Sequence, residues 1–90
     1  MSREEIKERI IILCAEIFRD SGADTKLIEF MDFNDDLGMD SITFITLIVE
    51  IENAFSIVVP DDLLLMNKLR NIDAIVSVVE RELLKGFNDC

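Results

Sequence analysis

Asp40-Ser41-Ile42-Thr43-Phe44-Ile45-Thr46-Leu47-Ile48-Val49-Glu50-Ile51-Glu52-Asn53-Ala54-Phe55 is the stretch on which the fold turns. Ile42, Ile45, Leu47, Ile48, Val49, Ile51 and Phe55 recur at helical spacing and leave only a narrow polar face. A helix from Ser41 to about Ala54 is therefore predicted, and other elements should cover most of it. Asp40 stands where a side-chain oxygen caps the first amides of such a helix, and Gly38 lets the chain turn into it.

Upstream, Ser2 with Glu5 three residues on reads as a capping box, followed by Ile6, Ile10, Leu13, Cys14, Ile17 and Phe18 at helical spacing to about Arg19. Residues 20–40, with Gly22, Asn34, Gly38 and many acids, form a long loop. Leu27, Ile28, Phe30, Met31, Phe33 and Leu37 are expected to pin it to the core, and a loop of this length is usually functional. Downstream, Phe55-Ser56-Ile57-Val58-Val59-Pro60 is β-branched, but it is lone and ended by proline, which favours an extended connector over a strand. Residues 63–68 suit a short helical turn. Asn71 then caps a last helix whose Ile72, Ile75, Val76, Val79 and Leu83 form one stripe up to Gly86. The expected fold is all-α: a small bundle of three main helices plus a short helix, with a long loop between the first two. A single domain over residues 1–90, with its core about 2–86, is expected.

At 90 residues, with 50% apolar and 31% charged residues, the chain can bury one core and no more. It has no His, which removes Ser-His-Asp, Cys-His and most zinc chemistry, so neither a catalytic residue nor a metal site is expected. The acidic pairs Asp35-Asp36 and Asp61-Asp62 suit at most weak cation binding on surface loops. Cys14 falls on the apolar face of the first helix and reads as core, while Cys90 reads as a free terminal thiol. No apolar run is long enough to span a bilayer and the N-terminus is charged where a secretory signal would turn apolar, so the cytoplasm is expected.

The net charge of -10 disfavours nucleic acid and anionic membrane surfaces as partners, and it is unevenly spread. Residues 1–26 hold five bases and six acids, and residues 68–90 four of each. Residues 27–67 hold no base against nine acids: Glu29, Asp32, Asp35, Asp36, Asp40, Glu50, Glu52, Asp61 and Asp62. Some of these acids suit helix starts, yet the missing lysines mark the middle as the place where a basic partner would dock.

Ser41 is the residue best placed for chemistry. Its hydroxyl is expected to be exposed at a helix N-terminus, near amides that would receive a phosphodiester, with Met39 and Ile42 as apolar contacts for a visiting protein. With no His to act as base, it suits attachment better than nucleophilic catalysis.

Asp36-Leu37-Gly38-Met39-Asp40-Ser41-Ile42, followed by Phe55-Ser56-Ile57-Val58-Val59-Pro60-Asp61, resembles the acyl carrier and peptidyl carrier proteins. The resemblance implies that Ser41 carries 4'-phosphopantetheine, attached by a phosphopantetheinyl transferase from coenzyme A with magnesium. The thiol of the arm would then hold an acyl or aminoacyl cargo as a thioester while partner enzymes do the chemistry. Carried over by position, Gly38, Met39, Asp40 and Ile42 would surround the attachment point. Asp35, Asp36, Phe44, Glu50, Glu52, Val58 and Asp61 would meet basic loading enzymes, synthases and transferases.

Three features depart from the fatty-acid carriers. Thr43 and Thr46, with Phe44 between them, stand where acids are common; Val58 replaces a usual acid; and the stretch from Pro60 to Leu69 is slightly longer. These point to a carrier of a specialised polyketide, non-ribosomal peptide or related pathway; the initiating Met1 and short tails separately suggest a free-standing protein, and a monomer is expected. A housekeeping fatty-acid carrier is the alternative, and an unmodified acidic adaptor the alternative of another class. No residue names the cargo.

Overall fold

The computed structural model describes residues 2–19 and 27–88. Three α-helices organise them: α1 (Arg3–Ile17), α2 (Ser41–Phe55) and α3 (Ile72–Asn88). Two short 3-10 turns lie at Ile28–Phe30 and Asp61–Leu63, and no strand occurs among the described residues. The molecule is elongated, 42 × 25 × 18 Å, and α1 packs against both other helices.

Each helix starts on a side-chain cap that satisfies an amide with no intrahelical partner. The Ser2 hydroxyl accepts from Glu5 N at 3.2 Å, with the Glu5 carboxylate reaching back to complete the capping box. Asp40 Oδ1 accepts from Thr43 N at 2.8 Å, and Asn71 Oδ1 from Ala74 N at 2.9 Å. Stops are less sharply encoded. α1 ends at Ile17, two residues before the expected limit, and α3 runs past Gly86 to Asn88. α2 ends where Ser56 enters the left-handed region at φ 55°, a conformation unusual for a residue with a Cβ.

The core joins Ile6, Ile10 and Cys14 of α1, Leu47 and Ile51 of α2, and Ile72, Ile75, Val76 and Val79 of α3. Fully burying one such aliphatic side chain contributes about 1.5–3 kcal/mol. Among the described residues no polar or charged residue is buried, so cohesion is almost wholly apolar. No described helix is long and apolar enough to cross a membrane.

Three expectations need correction. α2 is not largely covered: Ile42, Ile45 and Val49 are exposed, because α1 and the loops close over only the face that carries Phe44, Leu47, Ile48, Ile51 and Phe55. In the loop before α2, Ile28, Phe33 and Leu37 are buried, with Phe33 tilted against Phe18 at a ring separation of 5.1 Å. Leu27 and Phe30 point outward instead and pin nothing. The short helical turn forms at Asp61–Leu63, earlier than residues 63–68, since Pro60 leads directly into it with Leu63 N donating to Pro60 O. Of the connector expected over residues 55–60, Phe55 instead ends α2 and Ser56 is left-handed, while residues 57–60 form neither helix nor strand. Cys90 lies outside the described residues.

Candidate functional site

The loop that delivers the chain to α2 is shaped by its own polar groups. Asp32 Oδ1 accepts from the amides of Asn34 and Asp35, both at 2.9 Å, and Asp36 Oδ2 accepts from Asp32 N at 2.8 Å. Gly38 then turns the chain at φ 62°. A Cβ there would touch nothing within 4 Å, so the backbone angle, rather than crowding, is what calls for glycine. Met39 N donates to Phe33 O at 2.9 Å, which closes the loop just before the cap.

Asp40 follows in extended conformation, and its carboxylate is held below the usual range, first by the Thr43 amide and then by the Thr43 hydroxyl. Ser41 is the first helical residue and is exposed. The first intrahelical bond runs from Phe44 N to Asp40 O, which leaves the Ser41 and Ile42 amides ahead of it at the positive end of the helix.

Beside Ser41 opens an apolar groove of about 420 Å³. One wall is a single face of α2: Ser41, Phe44, Ile45, Ile48, Val49 and Glu52. Leu64 and Met66, from the segment between Asp61–Leu63 and α3, form the other. An anchored group attached at Ser41 would have an apolar surface within reach.

The expected site residues separate into three groups. Ser41, Asp40, Gly38 and Ile42 cluster at the exposed start of α2, with Ile42 78% exposed. Met39 and Phe44 are corrections: each is only 6% exposed, so Met39 packs into the core and Phe44 joins the core and the groove wall instead of the docking face. Among the docking residues, Val58, Glu50 and Asp61 are exposed, whereas three of the acids are engaged within the chain. Asp35 Oδ2 meets Arg70 Nη2 at 3.0 Å, Asp36 holds the Asp32 amide, and Glu52 Oε2 accepts from Val59 N at 2.8 Å.

Sequence reasoning missed the groove. Its signal was present, since residues 45, 48 and 52 share one helical face with Ser41. Leu64, Met66 and Arg70 have no such signal, because they meet α2 or the loop only through tertiary folding.

An exposed serine thus stands at the start of α2, delivered by a glycine turn and flanked by an apolar groove. A family model described as the phosphopantetheine attachment site matches residues 22–79. The chain belongs to this family of carrier domains, and its cofactor is covalently bound 4'-phosphopantetheine. The donor set fits that group: a reachable hydroxyl, unpaired first-turn amides for a phosphodiester, and an apolar groove alongside. When bound, the arm supplies a thiol that holds cargo as a thioester.

Proposed function

We propose that Ser41 is the residue that bears the arm and that the domain is a non-catalytic carrier, presenting acyl or aminoacyl thioesters to partner enzymes. Exposure of Ser41 directly after the Asp40 cap is the observation that carries the reading. In the loading reaction the serine oxygen forms a phosphoester and the pyrophosphate bond of coenzyme A breaks. The nucleotide half leaves, and the serine proton passes to the transferase, since this chain has no His to receive it. Asp40, Gly38 and Ile42 present the serine, and the groove takes up apolar cargo.

Partners would dock around Ser41 on Ile42, Ile45, Val49 and Val58, with Glu50 and Asp61 meeting basic residues. This predominantly apolar face favours a carrier of a specialised polyketide, non-ribosomal peptide or related pathway over one of fatty-acid synthesis.

The test is the intact mass after incubation with coenzyme A, magnesium and a broad-specificity phosphopantetheinyl transferase. Wild type should gain the mass of one arm, and Ser41→Ala should gain nothing while melting like wild type. Loading of Ser41→Ala would overturn the assignment.

A further inference from the structure

The wall of the groove opposite α2 has little backbone structure of its own. Beyond the turn at Asp61–Leu63 it closes only short loops, with Leu65 N bonding to Leu63 O and with Lys68 N and Leu69 N both bonding to Leu65 O. Its restraint comes from across the molecule, from the loop that leads to Ser41. Asn34 Nδ2 donates to Met66 O at 3.0 Å, and Phe33 N donates to Arg70 O at 2.6 Å. Arg70 returns two bonds, Nε to Asp32 Oδ2 at 2.5 Å and Nη2 to Asp35 Oδ2 at 3.0 Å.

Both ends of this tie are rooted, since Phe33 and Leu69 are buried. The carboxylates are also set in advance: Asp32 Oδ1 is occupied by two loop amides, which turns Oδ2 toward the guanidinium. A planar fork with two donors can span Asp32 and Asp35 together; an ammonium offers a single point of charge. The closed wall is therefore held by a few bonds of the Asn34 and Arg70 side chains.

We propose that Arg70 and Asn34 form a brace that holds the Met66 wall of the groove against the loop leading to Ser41, and thereby sets how well a cargo tethered at Ser41 is shielded from water and nucleophiles. The inference rests on the reading of Ser41 as the attachment residue. Arg70 and Asn34 are positioning residues: they touch neither Ser41 nor the groove interior, and act through Met66 and the loop.

The test compares wild type with Arg70→Gln, Arg70→Lys and Asn34→Ala. Arg3→Gln serves as control, because its ion pair with Glu80, at 3.4 Å, joins α1 to α3 away from the groove. Each protein is loaded with acetyl- or octanoyl-phosphopantetheine, and cleavage of the thioester by hydroxylamine is timed. In wild type the octanoyl form should be cleaved more slowly than the acetyl form. Arg70→Gln should speed octanoyl cleavage about two- to fivefold, the range that an exposed ion pair can shift an equilibrium. Acetyl cleavage should stay unchanged, and Arg70→Lys should fall between Arg70→Gln and wild type. Equal octanoyl and acetyl rates in wild type, or an unchanged ratio in Arg70→Gln, would overturn the proposal.

Amide hydrogen exchange on the unloaded proteins provides a readout independent of loading. Lys68, Leu69 and Phe33 should exchange faster in Arg70→Gln and Asn34→Ala but not in Arg3→Gln, and unchanged exchange would overturn the brace. A wild type that accepts no arm yet shows the exchange difference would sink the Ser41 assignment while leaving the brace standing.

Discussion

Replacing Phe44 with alanine separates a core residue from a docking residue on the same helix. Phe44 is 6% exposed, and its ring fills the space between α2 and the interior while lining the groove on one side. Truncating a buried phenylalanine costs about 3–5 kcal/mol, and the open groove on one flank, which lets neighbours and solvent relax into the gap, places Phe44→Ala at the lower end, about 3 kcal/mol. Small domains hold about 5–15 kcal/mol in all, so this one change should remove a large share of the stability. At about 4–8 °C per kcal/mol for a domain of this size, the melting temperature should fall by about 12–24 °C. Urea unfolding followed by circular dichroism at neutral pH is the assay, with an unchanged slope showing that the same surface is exposed in both proteins. Ile45→Ala, whose side chain is 61% exposed on the same groove, is the matched comparison and should cost no more than about 0.5 kcal/mol. If Phe44→Ala were no more destabilising than Ile45→Ala, Phe44 would not be a core residue, and the description of the groove wall would fail with it.

Three further expectations follow from individual groups. Cys14 is buried and desolvation pushes its thiol up to about 12, so a thiol reagent at mildly alkaline pH should leave it untouched in the native protein and modify it only in denaturant; rapid native labelling of Cys14 would contradict its burial. Asp32 is held below the usual carboxylate range, first by its bond to Arg70 and then by the Asp35 amide. A depressed folded-state pKa stabilises above the unfolded value and is lost as pH falls through the folded one, so the stability gap between wild type and Arg70→Gln should be full at pH 7 and close in acid; urea midpoints across that range should show the closure, and a pH-independent gap would refute the pairing. Gly38→Ala forces a Cβ into φ 62° and should cost about 1–2 kcal/mol, whereas Gly38→Asn should be milder, as read by thermal melts.

What was legible in the sequence is what depends on neighbours within one turn. The three caps, Ser2, Asp40 and Asn71, are short-range hydrogen bonds between a side chain and an amide three residues on, and all three form as the residue types suggest. Gly38 was legible for the same reason. The exposure of Ile42, Ile45 and Val49 was not, because periodicity records that α2 is apolar on most sides but not which side another element reaches. Leu27 and Phe30 failed similarly: a loop hydrophobe is anchored only if the tertiary path brings it to the core, and the 3-10 turn at Ile28–Phe30 turns Ile28 inward and Phe30 outward. Arg70 lies 38 residues from Asp32, too far along the chain for any spacing rule to pair them.

The acidic middle shows how a charge count changes meaning once the chain is folded. Of its nine acids, Glu29 pairs with Lys7, Asp32 and Asp35 with Arg70, Asp36 with the Asp32 amide, Asp40 with the Thr43 amide and Glu52 with the Val59 amide. These six side chains are engaged in shaping the loop, the cap and the connector, and both bases that answer them, Lys7 and Arg70, come from outside the acidic stretch, one on either side. Only the side chains of Glu50, Asp61 and Asp62 take no part in this network, and all three are exposed. The missing lysines of residues 27–67 therefore reflect architecture as much as recognition: a base inside the stretch would compete with Arg70 for Asp32 and Asp35, and with Lys7 for Glu29. What remains for a visiting protein is a short apolar row on α2 with few free charges beside it, which suits brief contacts whose specificity rests on shape more than on long-range attraction.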